Sequence, residues 1–183
     1  MGKSASGKDS IYKYLLEKMP LLPLILYTTR PRREHEQEGR EYHFITPQML
    51  AQMRLEGKLV EERCYQTIEG DWCYCTGAID FSAGDYLGIG TLQSYEKIRA
   101  FYGDACVIPI YIEVEDGVRL QRALDRERLE REPRYEELCR RFLADAKDFS
   151  EENLARAGIG RRFANVEFAA CAAEIEAYIT SGI

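Results

Sequence analysis

Apolar positions alternate between helical stripes and short continuous runs. Ile11, Leu15, Leu16 and Met19 recur at helical spacing and predict a first helix from Lys8 to about Met19, ended by Pro20. The run at 23–28 predicts a short buried strand, and Pro31 among dense charge marks the next stretch as a loop. Glu41 to Ile45 alternates in strand fashion. Thr46-Pro47 then has the cap-then-proline form of a helix start ahead of Met49, Leu50 and Met53, with Gly57 as its stop. Leu59-Val60-Glu61 and Trp72 to Thr76 predict strands of a small, half-exposed sheet, turned at Glu69-Gly70-Asp71. A short apolar run at Tyr86–Ile89 precedes a helix over 92–102. Cys106 to Ile112 is apolar enough to predict a strand buried on both faces, with Pro109 at a bulge. Charged helix fills Asp116 to Lys147, split by Pro133. A helix from Ser150, a strand within 161–166 and a helix over 167–179 complete the chain.

At 183 residues and 45 % hydrophobic content the chain suffices for one substantial core, most simply a single domain over 1–183. The longest apolar run, Leu21 to Leu26, is short and broken by Pro23, so no membrane partner is expected. A net charge of −6 argues against a nucleic-acid partner. The first residues are polar and unlike a signal peptide, which predicts a cytoplasmic protein whose six cysteines stay reduced. Cys64, Cys73 and Cys75 form no C-x-x-C pair, and idle thiols are the default reading of them. Arginines cluster at Arg30, Arg32, Arg33 and Arg40 and again from Arg119 to Arg141, which suits recognition of compact polyphosphates on an otherwise acidic chain.

Gly2, four residues, Gly7 and Lys8 fit G-x-x-x-x-G-K, a phosphate-binding loop. Glycines there let backbone N–H groups curl round phosphate oxygens, and the lysine reaches the outer phosphates. The helix that follows strengthens the match, because the loop presents phosphate to a helix N-terminus. Asp9 replaces the usual hydroxyl residue and Ser10 follows it. Strands alternating with helices behind such a loop predict an α/β fold with a parallel sheet flanked by helices, the two charge-rich stretches being insertions over its active edge. Only Met1 precedes Gly2, so the strand expected ahead of the loop is missing from these residues. The natural protein is expected to carry further apolar residues upstream.

Thr28, Thr29, Arg30, Arg33, Glu36, Gly39, Tyr42 and Phe44 match without a gap the pattern T-T-R-x-P-R-x-G-E-x-x-G-x-x-Y-x-F. On this motif and the loop, the chain resembles the guanylate kinases, phosphate-loop enzymes that transfer phosphate from ATP to GMP. Weaker similarity runs through nearly the whole chain. Pro31 stands one place early, and His35 replaces the usual glycine. The resemblance implies a P-loop NTPase-type core (1–27, 84–118 and 142–183), a small acceptor-binding β insert (28–83) and a helical lid (119–141).

Residue by residue, the resemblance implies that Arg30, Arg33, Tyr42 and Tyr74 hold the acceptor phosphate, as guanidinium forks and phenol hydroxyls can. It implies that Glu61, with Thr76, reads the base; Glu62 is adjacent and competes for the carboxylate role. Leu26 stands where a base-contacting serine is usual, and the segment from Glu61 to Tyr74 is longer than the family pattern, so guanine discrimination is expected to be weaker. ATP is expected along Gly2, Lys3, Ser4, Ala5, Ser6, Gly7, Lys8, Asp9 and Ser10, with Asn165 near the adenine. Lys8, Arg122, Arg126 and Arg141 are expected to stabilise the transferring phosphoryl group. Pairing with acidic neighbours on an exposed helix is the other reading of those lid arginines. For Mg²⁺, the family's acidic strand end is absent from Leu87 to Thr91, and Asp9 and Ser10 remain as candidates. Small nucleotides are the expected partners, and a monomer or homodimer the expected state. Two further readings stay open: a phosphate-loop kinase for another small phosphorylated acceptor, and a non-catalytic binding module of guanylate-kinase type.

Overall fold

A computed structural model describes residues 1–67 and 70–181. In chain order the elements are α1 (Lys8–Lys18), β1 (Leu22–Pro23), β2 (Tyr27–Thr28), β3 (His43–Phe44), α2 (Pro47–Leu55), β4 (Leu59–Thr67), β5 (Gly70–Gly77), β6 (Tyr86–Leu87), α3 (Leu92–Tyr102), β7 (Tyr111–Glu113), α4 (Asp116–Glu127), α5 (Tyr135–Asp148), α6 (Glu151–Arg156), β8 (Arg162–Ala164) and α7 (Phe168–Thr180). They divide into two compact units, Met1–Pro20 with Ile89–Tyr95 and Ile108–Ile183, and Leu21–Gly88 with Glu96–Val107.

In the first unit, β7 and β8 pair in parallel, with Tyr111 opposite Arg162 and Glu113 opposite Ala164. Met1 lies along β7, its amino group donating to the Ile110 carbonyl at 2.6 Å and its carbonyl accepting from Ile112 N–H at 2.9 Å. Helix α1 turns Ile11 and Leu15 inward, both essentially without exposure. Burying each such side chain contributes about 1.5–3 kcal/mol. It packs on α7, whose Cys171, Ala172 and Ile175 are also buried, and Tyr14 meets Phe168 edge-on at 5.7 Å. Three helices start on side-chain caps: Glu115 accepts from Gly117 and Val118 N–H, Ser150 from Asn153 N–H, and Glu167 from Ala169 and Ala170 N–H. A carboxylate in that place satisfies orphan amides and suits the positive end of the helix dipole.

The second unit holds a four-stranded sheet in the order β3-β2-β5-β4 and a parallel pair β1-β6. Strands β4 and β5 run antiparallel with Glu61 opposite Thr76, Arg63 opposite Tyr74 and Tyr65 opposite Trp72 on one face. The other face carries Glu62 opposite Cys75 and Cys64 opposite Cys73. There Cys73 and Cys75 pack with Ile45 and Leu50, the latter supplied by α2. Thr46 caps α2 by accepting from Met49 N–H at 3.2 Å, and Gly57, at φ 65°, ends its trailing turn. This is the alternation of a sheet with one face in a core.

Several expectations change. The strand foreseen at 23–28 is two pieces in different sheets: Leu22 and Leu24 donate to Asp85 and Leu87 carbonyls, whereas Leu26 accepts from His43. Pro23, lacking an N–H, sits at the edge pair. The strand foreseen from Cys106 is confined to Tyr111–Glu113, beyond Pro109. The α/β fold with parallel pairing is as expected, its parallel pairs being β1-β6 and β2-β3 in the second unit and β7-β8 in the first. Glu69 of the foreseen turn lies outside the described residues, while Gly70 and Asp71 belong to β5.

The cysteines are not all reduced. Cys64 and Cys73, opposite each other on adjacent antiparallel strands, form a disulfide. Cys75, Cys106, Cys139 and Cys171 are free, and burial pushes the Cys75 thiol up to about 12.

Candidate active site

The phosphate loop belongs to the first unit and is shaped by two glycines that admit no side chain. A Cβ on Gly2 would lie 2.6 Å from the Ile112 carbonyl, and one on Gly7 would lie 2.3 Å from Asn165 Nδ2. Gly7, at φ 85°, is also the N-cap of α1 and offers no side-chain cap, so the helix N-terminus stays open to an anion. Ser6 is buried, and its hydroxyl has no hydrogen-bonding partner. Lys8 Nζ lies 3.7 Å from the exposed Asp9 carboxylate, and Ser10 beside it is exposed. Asp9 and Ser10 are oxygen donors open to solvent, which fits a Mg²⁺ that keeps most of its water.

The Asn165 amide donates to the Ser6 carbonyl at 2.8 Å and so braces the loop from behind. The Asn165 backbone carbonyl accepts from Arg122 Nη2 at 3.2 Å. Arg141 Nη2 reaches Ser4 Oγ at 3.4 Å, while Arg126 is exposed in the last turn of α4. Of the lid arginines, then, two are at the loop and its brace. Asp145, which the sequence did not single out, and Arg119, which it marked only as part of the second arginine cluster, also meet Ser4. Asp145 accepts from Ser4 N–H at 2.6 Å and Arg119 donates to the Ser4 carbonyl at 3.3 Å. A cleft of about 420 Å³ opens nearby, bounded by Lys3, Glu113, Asp116, Ala164 and Val166.

In the second unit, Thr28 and Thr29 fasten their strand to β5: Thr28 Oγ1 donates to the Cys73 carbonyl and Thr29 Oγ1 accepts from Cys73 N–H, each at 2.9 Å. Arg30 follows directly and is 4 % exposed, a degree of burial a guanidinium tolerates only with partners. Glu36 takes both terminal nitrogens, at 2.8 and 2.6 Å. The guanidinium lies over the Tyr42 and Phe44 rings at 5.3 and 5.8 Å. Hydrogen bonding to Arg30 holds the Glu36 carboxyl down to about 2, and Glu36 in turn raises Arg30 above the ordinary arginine value. Arg30 Nε is buried without a hydrogen-bonding partner. Tyr42 and Tyr74 stand with their rings 5.7 Å apart, and burial raises the Tyr42 phenol. The structure thus brings Arg30, Tyr42 and Tyr74 together, and leaves the Arg33 side chain exposed on the loop beside them.

Glu61 is 3 % exposed and accepts from Thr76 Oγ1 at 3.0 Å. Strand alternation separates it from Glu62, which is bound by Arg54 at 2.8 Å on the other face, so Glu61 is the carboxylate that shares a face with Tyr74 and Thr76. Arg63, also absent from the sequence-based set, grips Glu61 through Nε and Nη2 at 3.0 and 3.2 Å. Strand alternation, which puts residue 63 on the face of residue 61, is the signal the sequence offers, and the register then sets Arg63 opposite Tyr74. Glu62, Cys64 and Cys73 have ligand atoms within 4.8 Å of one another, but the two sulfurs are tied in the disulfide and the carboxylate to Arg54.

Residues 1–70 match the family model described as guanylate kinase. The guanylate kinase of Syntrophotalea carbinolica is 36 % identical over 74 residues, 40 % of this chain and 33 % of that protein. That of Nitrosospira multiformis is 33 % identical over 127 residues, 67 % of this chain and 60 % of that protein. The chain therefore spans between a third and three fifths of the length of these curated relatives. The crystal structure of guanylate kinase from Anaplasma phagocytophilum is similar in fold, with a TM-score of 0.64 at 17 % identity over 98 % of this chain and 82 % of that one. Motif, sequence matches and fold agree, and the chain belongs to the guanylate kinase family.

Proposed function

We propose that the protein transfers the terminal phosphoryl group of ATP to a nucleoside monophosphate, GMP before others, giving ADP and the nucleoside diphosphate. One observation carries the reading. Among the described residues three buried side-chain polar atoms lack a hydrogen-bonding partner; Arg119 Nη2 is ion-paired with Asp116 at 3.0 Å, and the other two are the Ser6 hydroxyl in the phosphate loop and Arg30 Nε in the cage with Tyr42. Buried donors of that kind call for a ligand, and phosphate oxygens satisfy both.

In this reading the first unit holds the donor and the second the acceptor. An oxygen of the acceptor phosphate attacks the γ-phosphorus of ATP as the bond to the β–γ bridging oxygen breaks, and ADP leaves. Loop amides and Lys8 neutralise charge on the donor, Arg122, Arg126 and Arg141 complete that role, and Arg33 with Arg30, Tyr42 and Tyr74 fixes the acceptor. Glu61 and Thr76 read the base. Asp9 and Ser10 would hold a magnesium ion, which supplies charge neutralisation at the phosphates when bound. The reaction is proposed for the cytoplasm, by a monomer or homodimer. No helix among the described residues is long and apolar enough to cross a membrane.

The Arg63–Glu61 pairing favours a second reading, in which the acceptor is another small phosphorylated molecule. A carboxylate already gripped by a guanidinium is less available to two guanine N–H groups. Coupled measurement of ADP release against GMP, AMP, CMP and UMP decides. Turnover with GMP above the rest supports the first reading, turnover with none of them while ATP still binds points to a different acceptor, and no ATP binding at all rejects both.

A further inference from the structure

Ser4 is held on both sides of its peptide backbone by one ion pair. Its N–H donates to Asp145 Oδ2 at 2.6 Å, its carbonyl accepts from Arg119 Nη1 at 3.3 Å, and the same Nη1 lies 3.4 Å from Asp145 Oδ2. Arg119 is 1 % exposed. Its guanidinium stacks on the Phe142 ring at 4.0 Å, and its Nε donates to Asp116 at 3.1 Å. Asp116 also takes the Lys3 ammonium at 3.2 Å, so Lys3 and Ser4 are both tied to the start of α4, and Ser4 to α5 as well.

The next residue shows what the tie achieves. Ala5 sits at φ 61°, the one positive φ outside glycine among the described residues. An alanine stays in the left-handed region only where its surroundings impose it. Ser4 is clamped on one side of it, and Ser6 on the other is fixed through the Asn165 amide. The turn between them aims the loop amides that phosphate oxygens meet.

We infer that Arg119 and Asp145 are positioning residues of the phosphate loop, acting through the Ser4 backbone to hold Ala5 in its left-handed turn. The inference rests on the kinase reading, since only a loop that takes a nucleotide is positioned for one. The pair also carries no net charge. Asp145 bonds the loop without adding a bare carboxylate near a polyphosphate, because Arg119 cancels it.

The test uses the full chain, Mg²⁺ with ATP as probe, calorimetry for binding and thermal unfolding for stability. Asp145→Ala is expected to weaken ATP binding about 10- to 100-fold, as loss of a charge-assisted hydrogen bond does, and to leave GMP binding unchanged. Arg119→Leu is expected to weaken ATP binding further, because Asp145 is left unpaired. The double variant Arg119→Leu/Asp145→Ala buries no charge and is expected to recover the melting temperature but not the ATP affinity. Asp145→Asn keeps an oxygen for the Ser4 N–H and should recover most of that affinity, with KM for ATP moving more than kcat across the series. Should ATP affinity return together with melting temperature in the double variant, the pair is only structural and the inference is overturned. Equal ATP binding by the parent and every variant overturns the inference alone. A parent chain that binds neither ATP nor GMP overturns the kinase reading, and this inference with it.

Discussion

Gly7 and Asn165 occupy touching positions: the Asn165 amide that donates to the Ser6 carbonyl at 2.8 Å lies where a Cβ on residue 7 would come within 2.3 Å of it. Gly7→Ala therefore has two costs. The left-handed backbone at φ 85° costs about 1–3 kcal/mol for a residue with a Cβ, and the displaced amide leaves a buried carbonyl unpaired. The variant is expected to unfold at lower urea concentration and to lose ATP binding more than GMP binding. Unfolding at the parental midpoint would mean that Asn165 can swing aside.

Arg30 and Arg33 belong to one motif but should respond differently to removal. Arg30→Ala strands a Glu36 carboxylate whose side chain is 14 % exposed, and a stability loss of about 2–4 kcal/mol is expected, toward the lower side of that for a buried pair. Arg33→Ala removes an exposed side chain and should shift stability by less than about 0.5 kcal/mol. Its effect is expected on the acceptor, with GMP binding weakened roughly 10- to 100-fold and ATP binding retained. Titrations with each nucleotide check this. A loss of ATP binding with GMP binding intact would reverse the assignment.

Acid should attack the same pair. Glu36 titrates at about 2 in the folded protein against an ordinary value of 4.5, so the unfolded chain binds its proton first. The stabilisation is complete above about 4.5 and is lost progressively as the pH falls toward about 2. Between those limits, the parent chain is expected to lose more stability per pH unit than Glu36→Gln. Parallel curves for the two proteins in urea would show that Glu36 is not responsible.

Local punctuation made much of this readable in the chain. Thr46-Pro47, Gly57 and the break at Pro133 mark helix ends because caps and prolines act within a few residues, and α3 lies where the periodicity placed it. The runs at 23–28 and 106–112 were misjudged because apolarity reports burial and says nothing of which backbone partner a residue finds. Asp145 and Arg119 were hidden for a related reason. Arg119 is one of a cluster of arginines and Asp145 one acid among many on charged helices, and the contact of Asp145 with Ser4 joins residues 141 positions apart. No motif covers Arg63, whose place depends on the register that sets it opposite Tyr74.

The Cys64–Cys73 bridge makes a prediction the composition did not. Closing a loop with a sequence separation of 9 residues stabilises by about 2–3 kcal/mol through restriction of the unfolded chain. Cys64→Ala should lose about that much under non-reducing conditions, and reducing agent should abolish the difference from the parent. Equal unfolding midpoints without reductant would mean the thiols do not pair in solution.

The two-faced pairing of β4 and β5 limits how this segment can change over evolutionary time. Substitutions at Glu61, Arg63, Tyr65, Tyr74 or Thr76 alter one surface and leave the packing behind it in place. Insertion or loss of a single residue within either strand exchanges the surfaces, sending Cys75 outward and the polar set into the apolar interior. Length changes of two residues conserve the alternation. New acceptor preferences are thus open to this hairpin by replacement or by paired insertion, while odd-numbered changes need a compensating bulge such as the irregularity between Leu59 and Glu61.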